Sequence, residues 1–416
     1  MDLHPGAAIL VDNYLPARRS LRVAVVTETY PPEVNGLAAT IARVVDGVRS
    51  RGHEVQLIRP RQAEDGSQVG DEQGDSRFAE VLMRGLPIPR YPQLKMGLPS
   101  KAALLRLWTK RRPDVVHIVT EGPLGWSALR AAVHLRMPVV SDFRTNFHAY
   151  SQHYGVAWLR SPIMVYLRKF HNRAACTMVP TEGLRAELQA NGFKRLRVVS
   201  RGVDTLLFDP ARRSTALRTS WGAGPHDLVV LCVGRLAPEK NLGTLLAAYE
   251  AVREADTRAR LVLVGDGPER QALQQRCPGA VFAGVRRAED LAAHYASADV
   301  FLFPSLTETF GNVLPEAMAS GLAVVGYDYA AAAQLVRHGE NGLLARFGSA
   351  ADFMAAARRL AAVPGEARAM GAQARLSAQG LDWGRVVEAV EAEYLAAMAG
   401  LGLDARPAWV PAMPGA

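Results

Sequence analysis

The sequence predicts an α/β fold, two Rossmann-like doubly wound domains facing a central cleft, and three observations carry that prediction. Short apolar runs of buried-strand type recur along the chain, each followed by a turn and a segment of helical period. The rhythm stops near residue 200 and starts afresh near residue 226. At 416 residues, 49% hydrophobic and 21% charged, the chain is long enough for two such cores and ordinary enough in composition to be globular.

Residues 1–20 hold Pro and Gly with little periodicity and are expected to form a flexible arm. The first domain, 21–200, opens with a strand at 21–26, a loop ending at Gly36 and a helix at 37–51, followed by a strand at 53–59. Glu64, Asp65, Asp71, Glu72 and Asp75 among Gly, Gln and Ser predict a solvated loop over 62–77. Strands at 115–119, 139–141 and 177–179 then alternate with helices near 124–136, 161–174 and 182–191. A linker is expected at 201–225. The second domain, 226–380, repeats the pattern with strands at 228–233, 261–264, 280–283, 299–303 and 322–326, and helices at 242–255, 268–276, 288–297 and 312–320. Gly265 and Gly267 suit a tight turn there, with Asp266 capping the helix that Pro268 opens; Arg270 where a third Gly would stand argues against a dinucleotide loop. A C-terminal helix at 381–400, capped by Asp382, is expected to pack back toward the first domain, and the Pro-punctuated 401–416 to be disordered.

Three dispersed cysteines with no metal spacing imply a reduced, cytoplasmic protein. No run of eighteen apolar residues appears, and the residues before Ser20 lack the order of a signal peptide, so neither membrane spanning nor export is expected. The formal net charge of +9 admits nucleic acid, an anionic membrane surface or a phosphorylated small molecule as partner. The basic residues are spread out and no nucleic-acid-binding module is evident, which excludes the first.

The chemistry concentrates in residues 303–321. An apolar strand ends at Pro304 and Ser305, a polar turn follows, and Val313, Leu314, Ala317 and Met318 keep helical spacing until Gly321. Pro315 is compatible with a first helical turn, where its missing N–H costs nothing, so the helix starts near Gly311 or Asn312 with its free N–H groups turned to the loop. Glu308 and Glu316 flank that turn and are expected to line one crevice; a capping carboxylate plus a solvated one is the plainer alternative. Arg235 and Lys240, just after the strand at 228–233, can clamp a diphosphate with a planar fork and a compact charge, or be two surface cations ahead of a helix.

Taken together, Gly234-Arg-x-x-x-Glu-Lys-Asn241, Gly265-Asp-Gly-Pro268, Pro304-Ser-x-x-Glu-x-Phe-Gly-x-x-x-x-Glu-Ala-Met-Ala-x-Gly321 and Gly339-Glu-Asn-Gly-Leu343 resemble the group-one (family 4) retaining glycosyltransferases of GT-B fold, over roughly residues 21–396. The resemblance implies that Arg235 and Lys240 bind a donor diphosphate, Glu316 the nucleotide ribose and Glu308 the donor sugar near the reacting centre. It implies backbone donors from Phe310, Gly311, Asn312 and Val313, a base seat at Gly284, Val285 and Arg286, and a first-domain contact at Gly36, where the order Asn35-Gly36-Leu37 departs from the two glycines of many members. Where many members carry a catalytic His, this chain has Arg144, with His148 four residues on, so both are catalytic candidates; His148 packing among Tyr150, Tyr154 and Phe147 is the alternative. The implied partners are a nucleotide-sugar donor, either a UDP-hexose or GDP-mannose, and an acceptor lipid or saccharide. No cofactor and no metal are expected, in keeping with the missing Asp-x-Asp. Cationic, apolar stretches at 101–112 and 160–173 suit either an interfacial helix on anionic lipid, with the protein peripheral on the inner membrane face, or an ordinary surface helix. An epimerase on the same scaffold and a non-catalytic binding protein are the competing functions; Arg235, Lys240, Glu308 and Glu316 together argue against the latter.

Overall fold

The computed structural model describes residues 20–33, 36–62, 65, 77–88, 91–144, 160–363 and 365–400. In chain order the first half contains β1 (Arg22–Val26), α1 (Gly36–Ser50), β2 (Glu54–Pro60), β3 (Phe78–Met83), β4 (Gly85–Ile88), β5 (Tyr91–Gly97), α2 (Lys101–Lys110), β6 (Val115–Ile118), α3 (Pro123–His134), β7 (Val139–Asp142), α4 (Arg160–His171), β8 (Cys176–Val179), α5 (Glu182–Ala190) and β9 (Leu196–Val198). After α6 (Thr215–Ser220) the second half contains β10 (Val229–Val233), α7 (Leu242–Ala255), β11 (Arg260–Val264), α8 (Arg270–Arg276), β12 (Val281–Gly284), α9 (Ala288–Ala296), β13 (Val300–Phe303), α10 (Val313–Ala319), β14 (Ala323–Tyr327), α11 (Ala330–Leu335), β15 (Gly342–Ala345), α12 (Ala350–Ala362), α13 (Glu366–Ala378) and α14 (Trp383–Ala399).

Two parallel sheets result, ordered β3-β2-β1-β6-β7-β8-β9 and β12-β11-β10-β13-β14-β15, with β4 and β5 as a separate antiparallel pair. Both orders reverse direction once, between β1 and β6 and between β10 and β13, and such switch points leave a crevice beyond the strand C-termini. The strands at these points are buried on both faces, as in the 0–1% exposure of Val23, Ala24, Val25 and Val26, so they lack a polar alternation and show as plain apolar runs. Each sheet has an apolar cluster on either side, for instance Leu245, Leu246 and Tyr249 of α7 with Phe353 of α12 on one face of the second sheet, and Leu314 and Met318 of α10 on the other.

α14 belongs by sequence to the second half and packs on the first: Val386, Val387, Val390 and Tyr394 share a cluster with Ile41, Val44 and Val45 of α1. Gly47 makes the contact possible, since a Cβ there would lie 2.3 Å from a Val387 methyl. Asp382 stands at the N-cap position of α14 but its side chain makes no capping bond, contrary to expectation. α8 likewise begins at Arg270, not at Pro268; Asp266 accepts from the Gly267 N–H at 2.8 Å and from Arg270 at 3.2 Å, so it closes the turn and caps no helix. The stretch 201–225, expected as a linker, includes α6 and gives Val203, Phe208, Trp221 and Ala223 to the second core. The arm before Ser20, most of the loop 62–77 and the tail 401–416 lie outside the described residues. Among the described residues no helix is long and apolar enough to cross a membrane.

Candidate active site

At the switch point of the second sheet, the loops after β10 and β13 are bonded to each other. Pro238, Glu239 and Lys240 form a single 3-10 turn, and Asn241 leaves it in the left-handed conformation. The Asn241 amide donates to the Pro304 carbonyl at 3.2 Å, the Thr307 hydroxyl donates to the Glu239 carbonyl at 3.3 Å, and Lys240 Nζ donates to Glu308 Oε1 at 2.5 Å. Arg235 is half-exposed, with Nη1 3.5 Å from the buried Glu239 carboxylate. The Tyr329 hydroxyl, on the residue just before α11, donates to the Glu308 carbonyl at 2.8 Å and steadies that loop. Gly311 closes it with φ 99°, and a Cβ there would come within 2.5 Å of the Phe303 ring, so both backbone angle and space demand glycine. α10 then begins at Val313, one residue beyond the expected start.

The facing wall comes from the first half. Arg144, just past β7, is buried, and its Nε donates to Asp142 Oδ2 at 2.6 Å. That oxygen is also 3.0 Å from His117 Nε2, while His117 Nδ1 is 2.8 Å from the Tyr394 hydroxyl. One ring proton on Nε2, with Tyr394 donating to Nδ1, satisfies the chain. Burial pushes the Asp142 carboxyl up, but Arg144 and His117 more than offset it and hold the group at about 2. The Arg144 carbonyl accepts from the Thr309 hydroxyl at 3.0 Å, and the Asn312 amide donates to the Gly36 carbonyl at 3.3 Å and to Thr40 Oγ1 at 3.2 Å, so the two halves meet through polar bonds at the cleft floor.

Between the walls lies a cavity of about 540 Å³ lined by Gly36, Arg144, Arg201, Arg235, Lys240, Glu308, Thr309, Gly311, Asn312 and Val313 among others. Four cations face it, and Glu308 stands on its border with a second cavity of about 360 Å³, which Glu182, Glu187, Asp328, Tyr329 and Gln334 line. One chamber is therefore suited to an anion and the other, rich in acceptor oxygens, to hydroxyl groups.

Two family models match the chain, one on each half. Residues 34–206 match the Glycosyltransferase Family 4 family and residues 227–362 the Glycosyl transferases group 1 family. The chain is 34% identical over 328 residues to a GDP-mannose-dependent alpha-mannosyltransferase of Corynebacterium glutamicum, covering 78% of this chain and 77% of that one. The chain belongs to the group-one glycosyltransferases. It is also 25% identical over 323 residues to an alpha-monoglucosyldiacylglycerol synthase of Streptococcus pneumoniae, covering 74% and 71% of the two chains. Its fold is that of sucrose-phosphate synthase from Thermosynechococcus elongatus, with a TM-score of 0.75 at 20% identity over 92% of this chain and 100% of that one. The protein is thus a hexosyltransferase of GT-B fold using a nucleotide-sugar donor, and nothing in these likenesses favours an epimerase.

Of the residues singled out in the sequence, this glycosyltransferase brings Gly36, Arg144, Arg235, Lys240, Glu308, Gly311, Asn312 and Val313 to one cavity. Phe310 is fully buried and offers only backbone; its carbonyl already accepts from the Ala331 N–H at 3.0 Å. Glu316 does not line that cavity with Glu308: it sits one turn into α10, partly buried, where Oε2 accepts from the Tyr295 hydroxyl at 2.9 Å. Burial pushes its carboxyl up to about 7 against the opposing effect of Tyr295. Val285 is 56% exposed beyond the end of β12, also away from the cavity lining. His148 lies outside the described residues. Sequence reasoning missed Arg201, which was placed in a linker, and the Asp142–His117–Tyr394 chain behind Arg144, whose members are far apart in sequence and carry no local signal.

Proposed function

We propose that the protein transfers a hexosyl group, mannosyl from GDP-mannose before a UDP-hexose, to a hydroxyl of a membrane lipid, with retention and without a metal ion. The observation that carries this reading is the cluster of Arg235, Lys240 and Glu308 at the β10–β13 switch point, with Lys240 Nζ 2.5 Å from Glu308. A diphosphate leaving from the anomeric carbon gains charge on its outer oxygens, and Arg235 and Lys240 face the position that charge would occupy. They supply electrostatically what a divalent ion supplies elsewhere. Glu308, on the border of the acid-lined cavity, accepts from donor-sugar hydroxyls, the free oxygen of Glu316 accepts from a ribose hydroxyl, and the turn around Val285 seats the base. The carbon–oxygen bond to the diphosphate breaks, the acceptor oxygen bonds the same face of the sugar, and the acceptor's proton passes to the departing phosphate. Arg144, held by Asp142, lies where a positive group steadies the sugar from the first half, and His148 is the other candidate for that contact.

The preference for GDP-mannose rests on the Corynebacterium glutamicum relative, and the lipid acceptor on the Streptococcus pneumoniae one together with exposed cations of α2 and α4. Val165 and Tyr166 of α4 are 53% and 42% exposed beside Arg168 and Lys169, a mixture that fits an anionic lipid surface and a protein peripheral on the inner membrane face. The test is a panel of labelled GDP-mannose, UDP-glucose and UDP-galactose given to the protein with anionic vesicles and with soluble sugars, in EDTA and in magnesium. Label entering the lipid phase from GDP-mannose, unchanged by EDTA, is expected. Transfer only to a soluble acceptor, or only with magnesium, overturns the corresponding part.

A further inference from the structure

A buried guanidinium needs a counter-charge, because taking an ion out of water costs several kcal/mol unless another charge and good hydrogen bonds offset it. Four arginines are buried among the described residues, and three obey the rule. Arg59 bonds Asp65 and Glu80, Arg144 bonds Asp142, and Arg218 bonds Asp299. Arg201, 6% exposed, has no carboxylate partner among the described residues. Its Nη1 donates to the neutral Asn312 side chain at 3.0 Å, its guanidinium lies 5.7 Å from the Phe310 ring centre, and its Nε is buried without a partner. The nearest acids are taken: Asp142 already serves Arg144 and His117, and Glu308 serves Lys240. Burial, with Arg144 adding to it, holds Arg201 down to about 9, which marks the cation as uncomfortable where it stands. Yet it faces the main cavity of the cleft from the chain segment that joins the two halves.

We infer that Arg201 is an anion-binding residue of this cleft, and that its missing counter-charge is a phosphate or carboxylate group carried by a substrate. Resting on the donor-site reading above, this adds a cation that belongs to neither the β10 nor the β13 loop. Its amide partner Asn312 also bonds Gly36 and Thr40 of α1, so an anion bound to Arg201 is sensed at the contact between the halves. The anion has two possible sources, the diphosphate of the donor or an acid on the acceptor, and the experiment separates them.

The variants are Arg201→Met, which keeps the stem and removes the charge, and Arg201→Lys, which keeps the charge and removes the fork. Free Arg201→Met is expected to melt no lower than wild type, since an unpaired buried charge has been removed. If the anion is the donor diphosphate, GDP binds Arg201→Met about 10- to 100-fold more weakly by calorimetry, the range for a charge-assisted hydrogen bond, with partial recovery in Arg201→Lys. If it is an acceptor acid, GDP affinity stays unchanged, and the rise in melting temperature that inorganic phosphate or glucuronate gives the GDP-saturated protein disappears in Arg201→Met. Unchanged GDP affinity together with an unchanged response to both acids overturns the inference, as does a lower melting temperature with ligand binding intact. Lys240→Ala run alongside separates this from the donor-site reading: GDP bound normally by Lys240→Ala refutes that reading, while GDP lost by Lys240→Ala and all binding kept by Arg201→Met refutes only the role of Arg201.

Discussion

The two edges that face each other across the cleft are built differently. On the second half, the loops after β10 and β13 are short, and three direct bonds join them: Asn241 to Pro304, Thr307 to Glu239 and Lys240 to Glu308. On the first half, Arg144 is held from behind, through Asp142 and His117, by Tyr394 of a helix more than two hundred residues away. The first arrangement places charges by local backbone geometry, the second by a buried polar chain that exists only after both halves have folded. A donor with a fixed diphosphate suits a locally built edge; the acceptor edge can vary without disturbing it.

The sharpest test of the contrast is Lys240→Ala. It removes a cation aimed at the leaving group, and a fall of about 10²–10³ in kcat is expected, with a lowered melting temperature as well because Glu308, whose side chain is 11% exposed, loses its cation. Turnover within tenfold of wild type at saturating donor would refute the reading of a locally built, charge-stabilising donor edge. Arg144→Ala tests the other edge and should cost about 10²-fold in turnover with GDP affinity little changed. His148→Ala, compared in the same assay, decides which of the two contacts the sugar: wild-type turnover in His148→Ala with loss in Arg144→Ala assigns the role to Arg144.

This contrast also explains what was legible in the sequence. The donor edge was readable because its residues sit within the segments 234–241 and 304–316, where Gly234, Gly311 and Pro315 reveal the turns and the helix start. The doubly wound rhythm was readable because strands buried on both faces are plain apolar runs. β3 was missed because its residues are only half-buried, and β9 because it has three residues and no pattern of its own. Arg201 was read as linker because burial of a polar residue cannot be inferred from its neighbours Ser200 and Gly202.

Tyr394→Phe probes the support behind the acceptor edge. It leaves His117 Nδ1 buried without its donor, an expected loss of about 1–3 kcal/mol in stability. If the chain positions Arg144, turnover falls several-fold while the donor KM is unchanged; a stability loss with no change in kcat reduces the chain to packing alone.

The smallest effect expected is one of pH, and it separates the halves once more. Among the described residues each has one raised carboxyl. Glu28, after β1, is pushed up to about 7 chiefly by burial, although the Leu124 N–H donates to it at 3.2 Å, and Glu316 is pushed to about 7 in the same way. Both bind a proton more tightly folded than unfolded. The folded state therefore holds more protons between the unfolded value near 4.5 and about 7, so stability declines as pH rises through that window and stays lower above it. Glu28→Gln and Glu316→Gln should each melt higher than wild type at pH 8 and equally at pH 4, by at most about 3 kcal/mol and less where water reaches the carboxyl. The two then part in ligand binding. If Glu316 accepts from the ribose, GDP affinity rises through pH 7 as that carboxyl ionises, and the rise vanishes in Glu316→Gln but persists in Glu28→Gln. A rise kept in Glu316→Gln, or lost in Glu28→Gln, would move the nucleotide contact off α10.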